Sequence, residues 1–255
     1  MDDITRTGLP IVEMTYFKIE EGDVATPWIP SSNDSRYTVI GVDGDVVYDT
    51  SGHKYNGSKL GTLTYSSDTP RYHLSTNFNG TNSGILIQNL PLSNIINTAT
   101  TYAFWIKPSG ENSGQSVYFG SYSGVSWSIE KTSGNLIRGY WNGSPDVAYS
   151  GATVTDDVWQ HVCITKNGTS EVKVYINGEL KATSTATHST LTFPTTFRIG
   201  RDTRSGDGTP YKGLMSDFRI YATCLSADDI LDLYHTPISL SSNGTLLTQG
   251  EYVEM

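Results

Sequence analysis

The chain has 255 residues, room for one large β-domain with short extensions. A formal net charge of −9 argues against a nucleic-acid partner, because phosphate backbones need a basic footprint. No apolar run approaches the roughly 18 residues of a membrane span, and MDDITRTGLP is too acidic and polar for a secretory signal, so either the protein is not exported by that route or the chain belongs to a longer one.

Residues 1–36 read as the end of a preceding β-module. Ile11 to Ile19 is one apolar-rich strand, Glu20-Glu21-Gly22-Asp23 a turn, and Val24 to Ser35 a Pro/Ser linker held extended before its prolines. Residues 37–236 form the main domain. Tyr37 to Asp49 supplies its first strands, followed by a loop at Thr50 to Asn56. Leu63 to Tyr72 and Gly84 to Ile87 are strands around an Asn79-Gly80 turn; Leu90 to Thr98 is a linker with one helical turn. Thr101 to Lys107 is a central strand with Tyr102, Phe104 and Ile106 on one face. Short strands then recur at Val117–Gly120, Val125–Glu130, Leu136–Trp141 and Val147–Tyr149, a spacing that suits a sandwich or jelly roll.

Trp159 to Leu180 holds two β-runs and two turns. Gln160, Val162 and Ile164 alternate with Trp159, His161 and Cys163; after Lys166–Thr169, Val172, Val174 and Ile176 alternate with Lys173 and Tyr175. Asn177-Gly178 is a strong hairpin signal, because a type I′ turn needs positive φ at both central positions. Thr183 to Pro194 is a Ser/Thr-rich connection, Phe197–Gly200 a strand, Arg201–Tyr211 the most polar loop, and Lys212–Tyr221 the closing strand. Ser226 to Asp229 fits a capping box, and Ile230, Leu233 and Tyr234 make the apolar stripe of a short helix ended by Pro237. Residues 237–255, with a turn signal at Asn243-Gly244, read as an extension or the start of another module.

Four stretches resemble the laminin-G-like and pentraxin-like group of the concanavalin A-like lectin/glucanase superfamily, in the order that group requires. They are Val47-Tyr48-Asp49-Thr50-Ser51-Gly52; Tyr102-Ala103-Phe104-Trp105-Ile106-Lys107-Pro108; Trp159-x-His161-Val162 with Val174 to Leu180; and Lys212 to Tyr221 followed by Leu225-Ser226. The resemblance covers roughly residues 37 to 236. It implies an all-β, two-sheet antiparallel jelly-roll sandwich with one short C-terminal helix. Pentraxin-type relatives carry a disulfide from the position matching Cys163 to the strand matching Tyr102–Lys107, which has no cysteine here, so Cys163 and Cys224 are expected as free thiols. The string from Lys18 to Asp34 also resembles a join recurrent in tail and baseplate proteins of phages and prophages.

The chemistry points to binding. Glucanases of the superfamily alternate Glu, Asp and Glu on one strand; no such run exists here, and Glu20-Glu21, Asp156-Asp157 and Asp228-Asp229 fall in turns or at a helix start. His161, mid-strand beside Trp159, reads as structural. Asn56, Asn79, Asn142, Asn167 and Asn243 match a glycosylation pattern but read as Asn-Gly turns. Relatives often hold one Ca²⁺, which takes six to eight oxygens. Asp49 and Asp217 are the candidates, with a structural hydrogen bond as the alternative for Asp217 and a rim site at Asp202 and Asp207 as a further option. Sugar rings stack on aromatic faces while planar polar groups bond their hydroxyls. Trp127, Arg138, Tyr140, Trp141 and Asn142 supply those types, against a core role for each aromatic.

The expected function is a non-catalytic carbohydrate-binding adhesion module of a phage or prophage tail protein, meeting a bacterial cell-surface polysaccharide. Its expected partners are other tail or baseplate proteins, without nucleic acid or membrane, and a homotrimer is one arrangement because tail fibres are often trimeric. Such a protein is made in the bacterial cytoplasm and resides in the virion tail. The alternatives are an extracellular accessory module of a secreted carbohydrate-active enzyme and a structural tail spacer.

Overall fold

Asn177 and Gly178 have φ of 54° and 80°, the double positive φ of a type I′ turn. They close a hairpin between Glu171–Ile176 (β13) and Glu179–Ser184 (β14), strands being numbered in chain order. The computed structural model describes residues 42–43, 45–47, 49, 55–70, 74–90, 97–110, 115–123, 125–141, 144–188, 190, 196–202 and 210–235. The expected N-terminal strand and linker, the Leu90–Thr98 helical turn, the C-terminal extension, Asn142 and Asp207 lie outside them or mostly so.

Among the described residues two antiparallel sheets carry the fold. One has nine strands in the order Val42–Asp43 (β1), Val46–Val47 (β2), Gly57–Leu60 (β3), Gly84–Gln88 (β6), Thr196–Ile199 (β15), Ser116–Ser123 (β8), Val125–Lys131 (β9), Leu136–Trp141 (β10) and Ser144–Thr153 (β11). The other has seven: β14, β13, Gln160–Asn167 (β12), Ala99–Pro108 (β7), Lys212–Tyr221 (β16), Ser75–Asn79 (β5) and Thr64–Ser66 (β4). The expected two-sheet jelly-roll sandwich is the observed architecture, and the expected short helix is Ala227–His235 (α1). The strand expected over Leu63–Tyr72 is shorter, because Asp68 N donates to Ser66 Oγ at 3.1 Å and turns the chain.

The period of two decides the core. Tyr102, Phe104 and Ile106 of β7 and Val162 and Ile164 of β12 point between the sheets, where they meet Tyr118, Phe119, Trp127 and Phe197 of the nine-stranded sheet. Phe104 lies edge-on to Phe119 at 5.4 Å and 89°, the geometry favoured by the ring quadrupoles.

Helix α1 seals part of the outward face of the seven-stranded sheet. Ser226 Oγ accepts from Asp229 N at 3.1 Å while Asp229 Oδ2 accepts from Ser226 N at 2.9 Å, the reciprocal capping box read in the sequence. Ile230 and Leu233 then bury Ala103, Cys163 and Tyr175. Tyr234 stacks on Trp105 at 5.7 Å, and His161 lies 5.3 Å from the same Trp105 ring, a packed histidine under the helix. Cys163 and Cys224 are both free, and burial pushes the Cys163 thiol well above its ordinary pKa, which makes it an inert core group. Truncating the cap, Ser226→Ala, should lower stability by about 1 kcal/mol; thermal melts beside wild type measure it, and an unchanged melting temperature would count against the helix as a sealing element.

Candidate functional site

Residues 140 and 141 are adjacent in strand β10, so their side chains must leave on opposite faces of the sheet. Trp141 is paired in register with Trp127 of β9, and both point inward with 0 % exposure. Their rings stack at 5.9 Å and 8°, and Trp127 also packs on Tyr102, Phe119 and Phe197. The expected sugar platform is therefore corrected: Trp127 and Trp141 are core residues, held there by the register of β9 with β10. Arg138 and Tyr140 remain on the outward face, and Asn142 lies outside the described residues.

Around Arg138 and Tyr140 the outward face of the nine-stranded sheet is polar. Register places Tyr140 opposite Ser128, Ser128 opposite Gly120 and Gly120 opposite Arg198, so these residues form one row across β10, β9, β8 and β15. The next row pairs Arg138 with Glu130. Glu130 is only 3 % exposed although it points away from the core. Its carboxylate accepts from Ser128 Oγ at 2.5 Å and from Gln115 Nε2, and Arg138 Nη1 stands 3.7 Å away. Beside it, Arg198 Nη1 donates to the carbonyl of Asp202 at 3.0 Å, and burial, with help from nearby Arg201, lowers the Arg198 pKa.

Gly120 packs tightly against β9. A Cβ there would come within 2.5 Å of the Trp127 carbonyl and 2.8 Å of Ser128 Cβ. The arrangement is a half-exposed tyrosine ring beside a shielded carboxylate, a guanidinium, a hydroxyl and an amide. It can bond vicinal hydroxyls on planar groups and offer an aromatic edge to a C–H face. Sequence reading passed over Glu130, Ser128, Gln115 and Arg198. The alternation S-W-S-I-E and the strand Leu136–Trp141 were both legible, but their register was not, and only register brings Glu130 to Arg138.

The metal candidates sit apart in role. Asp49 Oδ2 accepts from Tyr55 N at 3.0 Å and Asp49 N donates to Asn56 Oδ1 at 2.9 Å, a bracket across the loop between β2 and β3. Asp217, with φ of 51°, sits in a bulge of β16. Its two oxygens accept from Arg219 Nε and Nη2 at 2.7 and 2.9 Å, a bidentate fork. Burial alone would lower the Arg219 pKa, but the Asp217 charge overrides it and holds the guanidinium above its ordinary value. Among the described residues no three His, Cys, Asp or Glu side chains converge as a metal cage would need. The Arg219 fork takes both oxygens of Asp217, the position a cation would need, so the Asp217 carboxylate does not fit a Ca²⁺ site. Asp217→Ala should cost about 1–3 kcal/mol through the stranded Arg219, equally with and without EDTA. A Ca²⁺-dependent melting temperature that disappears in the variant would restore the metal.

A β-sandwich with a polar, partly aromatic site on one sheet face is lectin-like in class. Residues 79–231 match the laminin G-type family described as the concanavalin A-like lectin/glucanases superfamily, and the chain belongs to it. Among curated protein sequences none matches. Solved structures share the fold. The receptor binding domain of botulinum neurotoxin C/D mosaic serotype aligns with TM-score 0.59 at 22% identity, over 74% of this chain and 48% of that one. Domain 4 of a GH43 extracellular arabinanase from Geobacillus stearothermophilus, solved with arabinotriose, aligns with TM-score 0.55 at 22% identity, over 69% of this chain and 82% of that one. A botulinum neurotoxin type C structure, whose cell entry depends on two ganglioside molecules, aligns with TM-score 0.57 at 20% identity, over 74% of this chain and 48% of that one. The chain thus spans about half the length of the neurotoxin binding domains it matches.

Proposed function

We propose that the domain is a non-catalytic carbohydrate-binding module whose outward nine-stranded face, around Tyr140, Arg138 and Glu130, takes a glycan. The observation that carries this is Glu130, a carboxylate that points away from the core yet is shielded and held by Ser128, Gln115 and Arg138. Keeping such a group ordered costs stability, and a site that reads hydroxyls accounts for it. The arabinotriose-bound domain and the ganglioside-dependent neurotoxin support the same class of ligand.

At finer grain we infer an adhesion role in a phage or prophage tail protein, where the module meets a bacterial surface polysaccharide. The support is the tail-protein-like string from Lys18 to Asp34. The accessory module of a secreted enzyme is the second reading, favoured by the likeness to an arabinanase domain.

The test is binding of wild type, Tyr140→Ala and Arg138→Ala to a glycan array and to bacterial walls. Loss of a ligand-stacked ring should cost about 1–3 kcal/mol, roughly tenfold to a hundredfold in affinity, with the melting temperature held within a few degrees. If wild type binds no wall or glycan, even as a trimer, the spacer reading replaces this one. Reducing-sugar release from β-glucans and walls should be nil; turnover that disappears with one carboxylate would make the domain an enzyme.

A further inference from the structure

The outward face of the seven-stranded sheet is divided. Helix α1 covers the half around Ala103, Cys163 and Tyr175. The other half holds a shallow, open groove of about 360 Å³, at the small end of ligand pockets. Register builds its floor: Leu214 of β16 lies between Asn77 of β5 and Lys107 of β7, with Lys212 two residues along. Ser109 and Asp157 wall it. Backbone bonds fix those walls, Ser109 N to the Lys212 carbonyl at 3.0 Å and Asp157 N to the Pro108 carbonyl at 2.8 Å.

An aromatic group is pinned beside the groove. Lys107 Nζ lies 2.7 Å from Asp68 Oδ2, and the other Asp68 oxygen accepts from Trp159 Nε1 at 2.7 Å. Both contacts hold the Asp68 carboxyl below its usual pKa. Trp159 remains half-exposed, whereas Trp127 and Trp141 are wholly buried. A concavity lined by an amide, a hydroxyl and charges of both signs, with a tethered indole next to its Lys107 wall, offers the groups that recognise sugar hydroxyls and C–H faces. Of the charged groups that line the groove, Lys212 is set against Asp157, and Lys107 is neutralised from outside the lining by its ion pair with Asp68. They balance, which matches an uncharged polyol better than an anion.

We propose that this groove is a second saccharide site, specific for neutral sugars, on the sheet opposite the Tyr140 face. Two sites on opposite outward faces cannot share one short oligosaccharide, because two packed sheets lie about 10 Å apart even before side chains are added. The domain then holds two glycan chains, or two points of one long polysaccharide, and gains avidity on a dense surface.

The experiment is a nuclear magnetic resonance titration of the full chain with arabinotriose, maltotriose and cellotriose, and with digalacturonate as the charged control. At least one neutral trisaccharide should shift the Asn77 side-chain amide and the Trp159 indole N–H. The double variant Asn77→Ala/Lys212→Ala should raise the Kd read from the Trp159 indole N–H at least tenfold while resonances of Arg138 and Tyr140 respond as in wild type; Asn77 is exposed, and retained dispersion of the spectrum shows the fold intact. Shifts at Tyr140 with none in the groove, or groove shifts that survive the double variant, overturn the second site. Tighter binding of digalacturonate overturns its neutral specificity. Groove shifts with a silent Tyr140 face leave this proposal standing and remove the site proposed on the nine-stranded sheet, and silence at both removes both.

Discussion

Trp141→Ala is expected to lose the fold before it loses a ligand. The indole is 0 % exposed, stacked on Trp127, and has Lys166 Nζ 5.3 Å from its ring centre and His188 at 5.6 Å. Truncating a buried tryptophan removes its transfer free energy and leaves a cavity, together about 3–5 kcal/mol. For a domain of this size that lowers the melting temperature by roughly 6–20 °C, and it is a large share of a total of about 5–15 kcal/mol. Here the deletion also strips a π-face from a buried ammonium. Calorimetry of the variant beside Tyr140→Ala measures the contrast: the neighbour in sequence should barely move. A Trp141→Ala protein as stable as wild type, with weakened glycan binding, would put the indole back at the surface.

Lys166→Met should stabilise the protein at neutral pH and make it more sensitive to alkali. Lys166 follows Val162 and Ile164 on the inward face of β12 and is 0 % exposed. Its ammonium has the Gly168 carbonyl and the Trp141 face for company. Burial pulls its pKa from 10.5 down to about 8, only partly offset by Cys224. Folding therefore disfavours the proton: between about pH 8 and 10.5 the unfolded chain binds more protons than the native one, so stability rises with pH across that window. The shift corresponds to at most ~3 kcal/mol. The trend is opposed increasingly as pH rises. Burial raises Cys163 and holds Tyr65 and Tyr149 up at about 12, so these groups stay protonated in the native state while the unfolded chain ionises. On the acid side His188, whose pKa is lowered by burial and by the Lys166 charge, removes stability as pH falls below its ordinary 6.5. The most informative interval is pH 8 to 9, where Lys166 gains while Cys163 and Cys224 oppose it, since burial keeps both thiols protonated in the native state. Urea midpoints there should hold or climb for wild type and fall for Lys166→Met. Parallel slopes would mean that the Lys166 proton is not coupled to folding.

The sequence by itself determined the local structure, because local rules suffice for it. Asn177-Gly178 specifies a hairpin by backbone sterics, Ser226 to Asp229 specify a helix start by reciprocal hydrogen bonds, and alternation at Tyr102, Phe104 and Ile106 specifies a strand with one buried face. The order of four family stretches added the jelly roll. Alternation also made Trp141 and Tyr140 mutually exclusive on any one face, yet it did not say which face is inside. That was decided by tertiary pairing: Trp141 beside Trp127 fills the space under Tyr102 and Phe197, so Tyr140 and Arg138 are turned outward. Sites assembled from several strands were invisible for the same reason. Glu130 meets Arg138 and Gln115 by sheet register, and Asp68 reaches Trp159 across 91 residues of chain. A side chain's period is written in its neighbours; its partner is written in whichever strand the fold lays beside it.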